Sequence, residues 1–512
     1  MSLPEVLAAD QIGFPVLSVL VFLPALAAAT LIFIRDERVV RGVVLATALV
    51  ELLLSVLVVA LFVPGVPDVQ FAERMNWIET LGAGYHLGVD GISVLFLPLT
   101  AFATLAAVLI SQKSVRFMYK SYFVMLLLLE GMTMGVFASL DLILFFAFWE
   151  LMLVPAYFLI RAWGPGPNRQ HAALKYVMYM LLGSAPLAVG IVLLGLNYRA
   201  VTGESTYSFD LLSLLAVPVP PEIQTLIFFL VAFAFAVKAP LVPFHTWMPT
   251  VLAEGPIGLG LFLGGIKMGV YGFLRFAVPL MPGAAIEWSW LMTALGAIAI
   301  VYAGLIALAQ PNLRRLLAFA SIAHVGLAIL GVFALNTQGI QGAVLLTFQL
   351  GIVATTLLFL AGALSARTGS SELSSFGGLA GRVPVLAAFF FLVGLAGIGV
   401  PGTSGFIGEF LVLMGAFRVH WSLATAGVLG VILSAAFFFL YYERAFLGPV
   451  RRGGATLHDL RPREAVIAIT AVVMIFWIGL MPGRFLHITS GSVDALVERV
   501  TQARVADLAA TR

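Results

Sequence analysis

Glu150, Lys238, Lys267 and Glu409 each interrupt an apolar run long enough to cross a bilayer, and His324 interrupts another. A charge at membrane depth costs at least about 2.5 kcal/mol, so such residues are functional by default. Acids, amines and an imidazole in one chain are the parts of a proton route. A carboxylate beside a lysine stabilises the ammonium, and withdrawing it favours the neutral amine, so a Glu150–Lys238 pair that changes its spacing would load and release a proton. A neutral imidazole takes a proton on one nitrogen and releases it from the other, which lets His324 link Lys267 to Glu409. Gly264, Gly265 and Gly269 around Lys267 leave room for close helix approach or for water.

Weaker signals surround this set. Glu130 is expected to assist Glu150, whereas Glu51 is expected to face a partner. His245 and Glu254 flank the end of the seventh span as gate or interface residues. His245 and His324 lack the paired spacing of haem ligands. Gly258–Gly260 follows no strand, so it is no dinucleotide fingerprint, and no Walker loop, HExxH or nucleophile elbow occurs.

The elements that hold these residues follow from composition. The chain has 512 residues, of which 61% are hydrophobic and 10% charged, with a mean hydropathy of +1.07. No water-soluble core hides that much apolar surface. A spanning helix needs about 20 apolar residues, and continuous runs rather than alternating ones exclude a barrel. The expected fold is all-α and polytopic, with about fourteen membrane helices. Residues 1–116 would hold helices 1 to 3, 117–287 a first five-helix repeat, 288–446 a second, and 447–512 helix 14 with an amphipathic tail lying on the membrane surface or a partner. The first run carries a weakly acidic leader and no cleavage site, so it should remain as a span. Cysteine is absent, which excludes disulfides and thiolate-bound clusters from this chain.

Two spans should be broken. Pro240 and Pro243 follow Lys238 in span 7, and Pro401 with several glycines precedes Glu409 in span 12. Proline removes a backbone donor, and interrupted helices at matching places in two halves point to inverted repeats around a midplane site. With fourteen spans, 18 of the 28 basic residues fall in the six loops of one side, among them Arg35, Arg116, Arg314, Arg451 and Arg452. By the positive-inside rule both termini lie outside the cytoplasm.

The strings HLGVDGIS (86–93), FWELMLVPAYFLI (148–160), KAPLVPFHTWMP (238–249), KMGVYGFLRF (267–276), FGGLAGR (376–382) and PGTSGFIGEF (401–410) occur in one order. In them the chain resembles the subunit M (subunit 4) branch of type I NADH:quinone oxidoreductase, respiratory complex I. That branch lies within the antiporter-like superfamily of Mrp-type cation/proton antiporters and membrane-bound hydrogenase subunits. The resemblance implies fourteen helices, two inverted five-helix repeats and proton translocation without a cofactor in this chain. NADH, FMN, iron–sulfur clusters and quinone would then belong to partner subunits. It places the family's proton-transfer residues on Glu150, Lys238, Lys267, His324 and Glu409, with glutamate at the last position matching the M branch. It also implies other membrane-arm subunits, antiporter-like ones included, as partners, a bacterial inner membrane as the location, and no nucleic acid.

Two places depart from the family. WMPTVLAEGPIG keeps Glu254 and Pro256 but lacks the usual acid and histidine, and FQLGIV has Leu350 where the family has histidine, with Gln349 beside it. Leucine cannot pass a proton. Either water and Gln349 bridge the gap or the chain is a divergent paralogue. An Mrp-type antiporter subunit, or a membrane subunit of a hydrogenase or of an inorganic-carbon uptake complex, is the alternative.

Overall fold

The computed structural model describes residues 4–419, 421–449 and 457–510. Arg451 and Arg452, counted above as loop cations, lie outside the described residues. Twelve helical segments among the described residues are long and apolar enough to cross a membrane, and Phe96–Gln112, Pro384–Gly397 and Ser404–Phe417 are shorter apolar helices. The all-α expectation holds for this membrane body.

We number the helices that matter in chain order: α1 (Val16–Phe33), α2 (Glu37–Leu61), α3 (Phe96–Ser114), α4 (Tyr119–Ala138), α5 (Leu142–Leu151), α6 (Leu153–Trp163), α7 (Arg169–Thr202), α8 (Pro221–Lys238), α9 (Trp247–Glu254), α10 (Ile257–Gly265) and α11 (Met268–Gly272). The second half continues with α12 (Ser289–Ala309), α13 (Leu313–Val332), α14 (Thr337–Thr368), α15 (Pro384–Gly397), α16 (Ser404–Phe417), α17 (Trp421–Phe446), α18 (Pro462–Leu480) and α19 (Pro482–Ala510). A helix satisfies the amides beyond its first turn internally, as hydrocarbon requires. Asp36, Asp141, Asn312 and Asn336 cap α2, α5, α13 and α14 by accepting from first-turn amides.

Composition gave no sign of a small sheet at one end of the bundle. Strand β1 (Glu5–Leu7) pairs in parallel with β2 (Val69–Ile78), which pairs antiparallel with β3 (Ala83–Val89), Met75 facing Tyr85. The hairpin reaches back to the first membrane helix, where the Glu73 carboxylate accepts from the Leu17 amide at 2.8 Å. A carboxylate suits a helix N-terminus, which presents free N–H groups and positive dipole. Buried Asp90 pairs with buried Arg275 at 2.5 Å and ties the base of the hairpin to the bundle.

Helix α19, which holds the expected tail, packs one face on its own chain. Ser492 accepts from the Gly91 amide at 2.9 Å, and Arg499 donates to the carbonyls of Pro279 (2.5 Å) and Leu215 (2.8 Å). The amphipathic pattern buries Val493, Leu496 and Val500 against this surface.

Both expected breaks are present. Helix α8 stops at Lys238 and α9 starts at Trp247; α15 stops at Gly397 and α16 starts at Ser404. The freed groups find partners within the chain, as the Trp247 indole donates to the Val237 carbonyl at 2.9 Å. The eighth span, expected to be continuous, breaks as well, at Ile266–Lys267, and continues through a π-turn at Phe273–Ala277.

Candidate proton-transfer site

The two breaks on either side of Lys238 and Lys267 lie back to back. A Cβ on Gly269 would stand 2.3 Å from the Phe235 carbonyl oxygen and 2.4 Å from the Ala239 amide nitrogen. Glycine is therefore required for α11 to touch the end of α8. Gly265 is similarly pressed on α14, where a Cβ would meet Thr355 Oγ1 at 2.1 Å. Of the two roles open to these glycines, the structure selects close helix approach.

Around Lys238 three buried polar atoms, Lys238 Nζ, Glu150 Oε1 and the Tyr176 hydroxyl, have no hydrogen-bond partner. Lys238 is 8% exposed, and its ammonium sits over the Trp149 ring, 4.6 Å from the centroid, where the ring quadrupole attracts a cation. Glu150 is half-buried and makes no ion pair within 4.0 Å among the described residues. It is near enough for its charge to act on both Lys238 and Tyr176. Glu150 and Lys238 are thus neighbours that make no direct ion pair. Tyr176 was not foreseen; its ring stacks edge-on against Trp247, 5.4 Å between centroids, so it joins Glu150 to the broken segment.

Lys267 is 3% exposed, which excludes snorkelling to an interface. Its Nζ donates to the Gly264 carbonyl, and Ser321 Oγ donates to the same oxygen at 3.3 Å. Ser321 lies on α13, one turn before His324. The His324 ring is clamped by three acceptors: Nδ1 lies 2.7 Å from the Ala320 carbonyl, Nε2 lies 3.0 Å from the Gly397 carbonyl and 3.5 Å from Glu409 Oε1. Only the imidazolium offers N–H to both carbonyls. Glu409 in turn lies against Gly399 in the α15–α16 break, where φ is +69°. His324 and Glu409 are thus in contact.

Beside His324 lies a cavity of about 40 Å³, lined by Ser321, His324, Leu350 and Tyr441 among apolar side chains. It has room for a water molecule or two, since one water centre needs roughly 10–15 Å³. The Tyr441 hydroxyl is buried there without a partner. Leu350 borders this space. Gln349 is 1% exposed with both amide atoms unpartnered. Ser321 and Tyr441 carry no sequence signal of their own.

The accessory residues divide. His245 is buried in the α8–α9 break, edge-on to Tyr302 at 5.3 Å, with Nδ1 unpartnered. Glu254 lies at the end of α9, where it accepts from the Asn168 amide at 2.8 Å. It closes a loop and does not join the buried set. Glu130 and Glu51 are both fully buried near one another, so Glu51 faces the interior of its own chain and not a partner. Its partner across the helices is 79 positions away, a neighbour no local pattern reveals.

A polytopic bundle whose acids and bases cluster where helices unwind defines the antiporter-like class of membrane proteins. The chain belongs to the NADH:quinone oxidoreductase/Mrp antiporter family, whose sequence pattern matches residues 139–434, more than half of its length. It is 36% identical over 497 residues to NADH-quinone oxidoreductase subunit M of Rickettsia conorii, covering 95% of this chain and 99% of the relative. Against subunit M of Rhodobacter capsulatus the identity is 37%, covering 94% and 96%. Among solved structures, a chain of respiratory complex I from Thermus thermophilus with bound NADH superposes with a TM-score of 0.86 at 32% identity, covering 94% of this chain and 99% of that one.

Proposed function

We propose that this chain is the subunit M of a complex I type NADH:quinone oxidoreductase and that it moves protons through its membrane interior. One observation carries the assignment of residues: buried polar groups gather at the helix breaks, Glu150, Tyr176 and Lys238 with atoms that lack a partner, Lys267 and Ser321 on one shared carbonyl, and His324 against Glu409. Unpaired buried groups are costly, and bridging water would satisfy them while passing protons.

The proton enters near Glu150 and Lys238, which act as a pair whose spacing sets the charge on the lysine. Lys267 relays it by way of Ser321 and the adjoining cavity to His324, and Glu409 accepts it beside the second break. Water in that cavity, between Ser321, Tyr441 and His324, takes the place of the imidazole missing at Leu350. Moving one charge against 100 mV requires about 2.3 kcal/mol, which partner subunits supply from quinone reduction. The chain itself performs no redox step.

We further propose that Phe96–Gln112 and the α15–α16 pair complete fourteen crossings, arranged as inverted repeats over 117–287 and 288–446. The hairpin end, which gathers β1 and α19, then faces outward from the bacterial inner membrane.

The deciding experiment replaces Lys238 or Glu150 by alanine in the assembled complex. NADH-driven proton uptake into vesicles should be lost while subunit composition is kept. Normal uptake in both variants would refute the assigned pair. The names of the relatives favour this reading over an Mrp-type antiporter; Na⁺-driven proton flux without an electron donor would reverse that preference.

A further inference from the structure

Glu51 on α2 and Glu130 on α4 are each 0% exposed, and all four carboxyl oxygens lack a hydrogen-bond partner. Glu130 lies close enough for its charge to act on Glu51, with Thr104 of α3 beside Glu130. Neither takes part in the route from Glu150 to Glu409.

The surroundings offer these carboxyls nothing to neutralise them. Thr47 and Ser55 lie one turn either side of Glu51, and Thr104 and Thr133 lie near Glu130. Their hydroxyls donate to the carbonyls of Val43, Leu52, Thr100 and Leu129 at 2.9, 2.9, 3.0 and 2.7 Å. Those protons point to backbone carbonyls, and only Thr104 stands near enough to Glu130 to act on it. The remaining charged groups on the packed helices sit toward their ends. Arg41 and Lys120 stand ten positions from Glu51 and Glu130, about 15 Å by helical rise. Arg41 pairs with Glu37 at 3.5 Å and lies 4.9 Å from the Tyr119 ring centroid, while Lys120 donates to the Ile32 carbonyl at 3.1 Å. Helix α1 has no charged residue, and the charged residues of α5 and α6, Glu150 and Arg161, stand in the last turns of those helices. Two adjacent buried carboxylates with no cation beside them and at most one weak hydroxyl neighbour cannot both be ionised.

We propose that Glu51 and Glu130 form a proton-binding site that holds at least one proton at neutral pH, the O–H of one carboxyl facing an oxygen of the other. Helix α4 packs against both α5 and α6, the helices that meet beside Glu150, so the site is a lateral proton store next to the route.

The test is infrared absorption of the complete complex in phospholipid vesicles, comparing wild type with Glu51→Gln, Glu130→Gln and the double variant. The double variant should lose one or two carboxylic-acid C=O bands that shift in D₂O, and each single variant should move or remove such a band. Loss of carboxylate absorption alone would overturn the proposal. So would a C=O band that vanishes in sodium buffer and persists in choline buffer, since a metal cation would then be the occupant. Should the double variant fail to assemble, the single variants give the same decision. The band must also survive Lys238→Ala, which separates this site from the proposed route.

Discussion

At the residue scale the His324–Glu409 contact makes the sharpest prediction. His324→Leu removes the one ring that faces Glu409 and the Gly397 carbonyl at once, and leaves a buried carboxyl unpaired. Orphaning buried polar groups costs about 1–3 kcal/mol each. The variant should therefore lower the thermal midpoint of the purified complex as well as slow proton uptake. Leu350→His should behave differently, because its ring enters existing space beside His324. We expect assembly to be retained and uptake to be at least that of wild type; loss of uptake would show that the cavity serves another purpose. Lys238, Lys267, His324 and Glu409 were legible in the sequence because an ionisable side chain in an apolar run has few innocent explanations. Tyr176, Ser321 and Tyr441 were not, because hydroxyls are common in membrane helices and only their unpartnered or shared hydrogen bonds mark them. Glu51 misled because its neighbour comes from a distant helix.

At the scale of elements, the breaks after Lys238 and before Glu409 could be read from Pro240, Pro243, Pro401 and the nearby glycines. The break at Lys267 has no proline, and Lys267 simply leaves the helical region at φ −99°, ψ 60°. What permits it is Gly269 seated against Phe235 and Ala239, a contact between helices that local sequence does not encode. Gly269→Val should force the eighth span off the seventh, at a cost of roughly 1–3 kcal/mol for overpacking. Reduced complex in the membrane fraction would report it, while Gly381→Ala, which meets nothing within 4 Å, serves as a control. Gly399→Ala should cost about 1–2 kcal/mol, since the left-handed backbone there disfavours a side chain.

The sheet makes a prediction in pH. Burial opposes a charge on Asp210, but its 2.5 Å hydrogen bond to His86, the His86 ring itself and Arg74 at 3.1 Å pull its pKa down to about 2 from an ordinary 3.8. A depressed carboxyl stabilises the fold fully above its unfolded pKa. That contribution is lost as pH falls from 3.8 toward 2. Asp210→Asn should remove on the order of 2 kcal/mol at neutral pH, seen as faster amide exchange over residues 69–89. Unchanged exchange would show that the hairpin is held by other contacts. The strands themselves were missed because the first four residues of β2 are all buried and the exposed ones follow together, so burial does not alternate along it, and Glu73 serves as a helix cap.

For the whole molecule, the lack of cysteine supplies a ready experimental background. Glu79→Cys in the hairpin turn should react with an impermeant maleimide added to intact cells, whereas Arg116→Cys should react only after permeabilisation. The reverse pattern would invert the proposed orientation.

The hydrogen bond from Gly91 to Ser492 joins positions 401 apart. During synthesis the ribosome must deliver 401 further residues before that amide meets its acceptor, so the hairpin end closes late. Arg499 then seats on Pro279 and Leu215 as a final latch. A premature stop just upstream of Ser492 would leave every buried acid and base in place, yet remove the brace over the eighth span. Biogenesis thus makes the last helix a checkpoint on the oldest part of the chain.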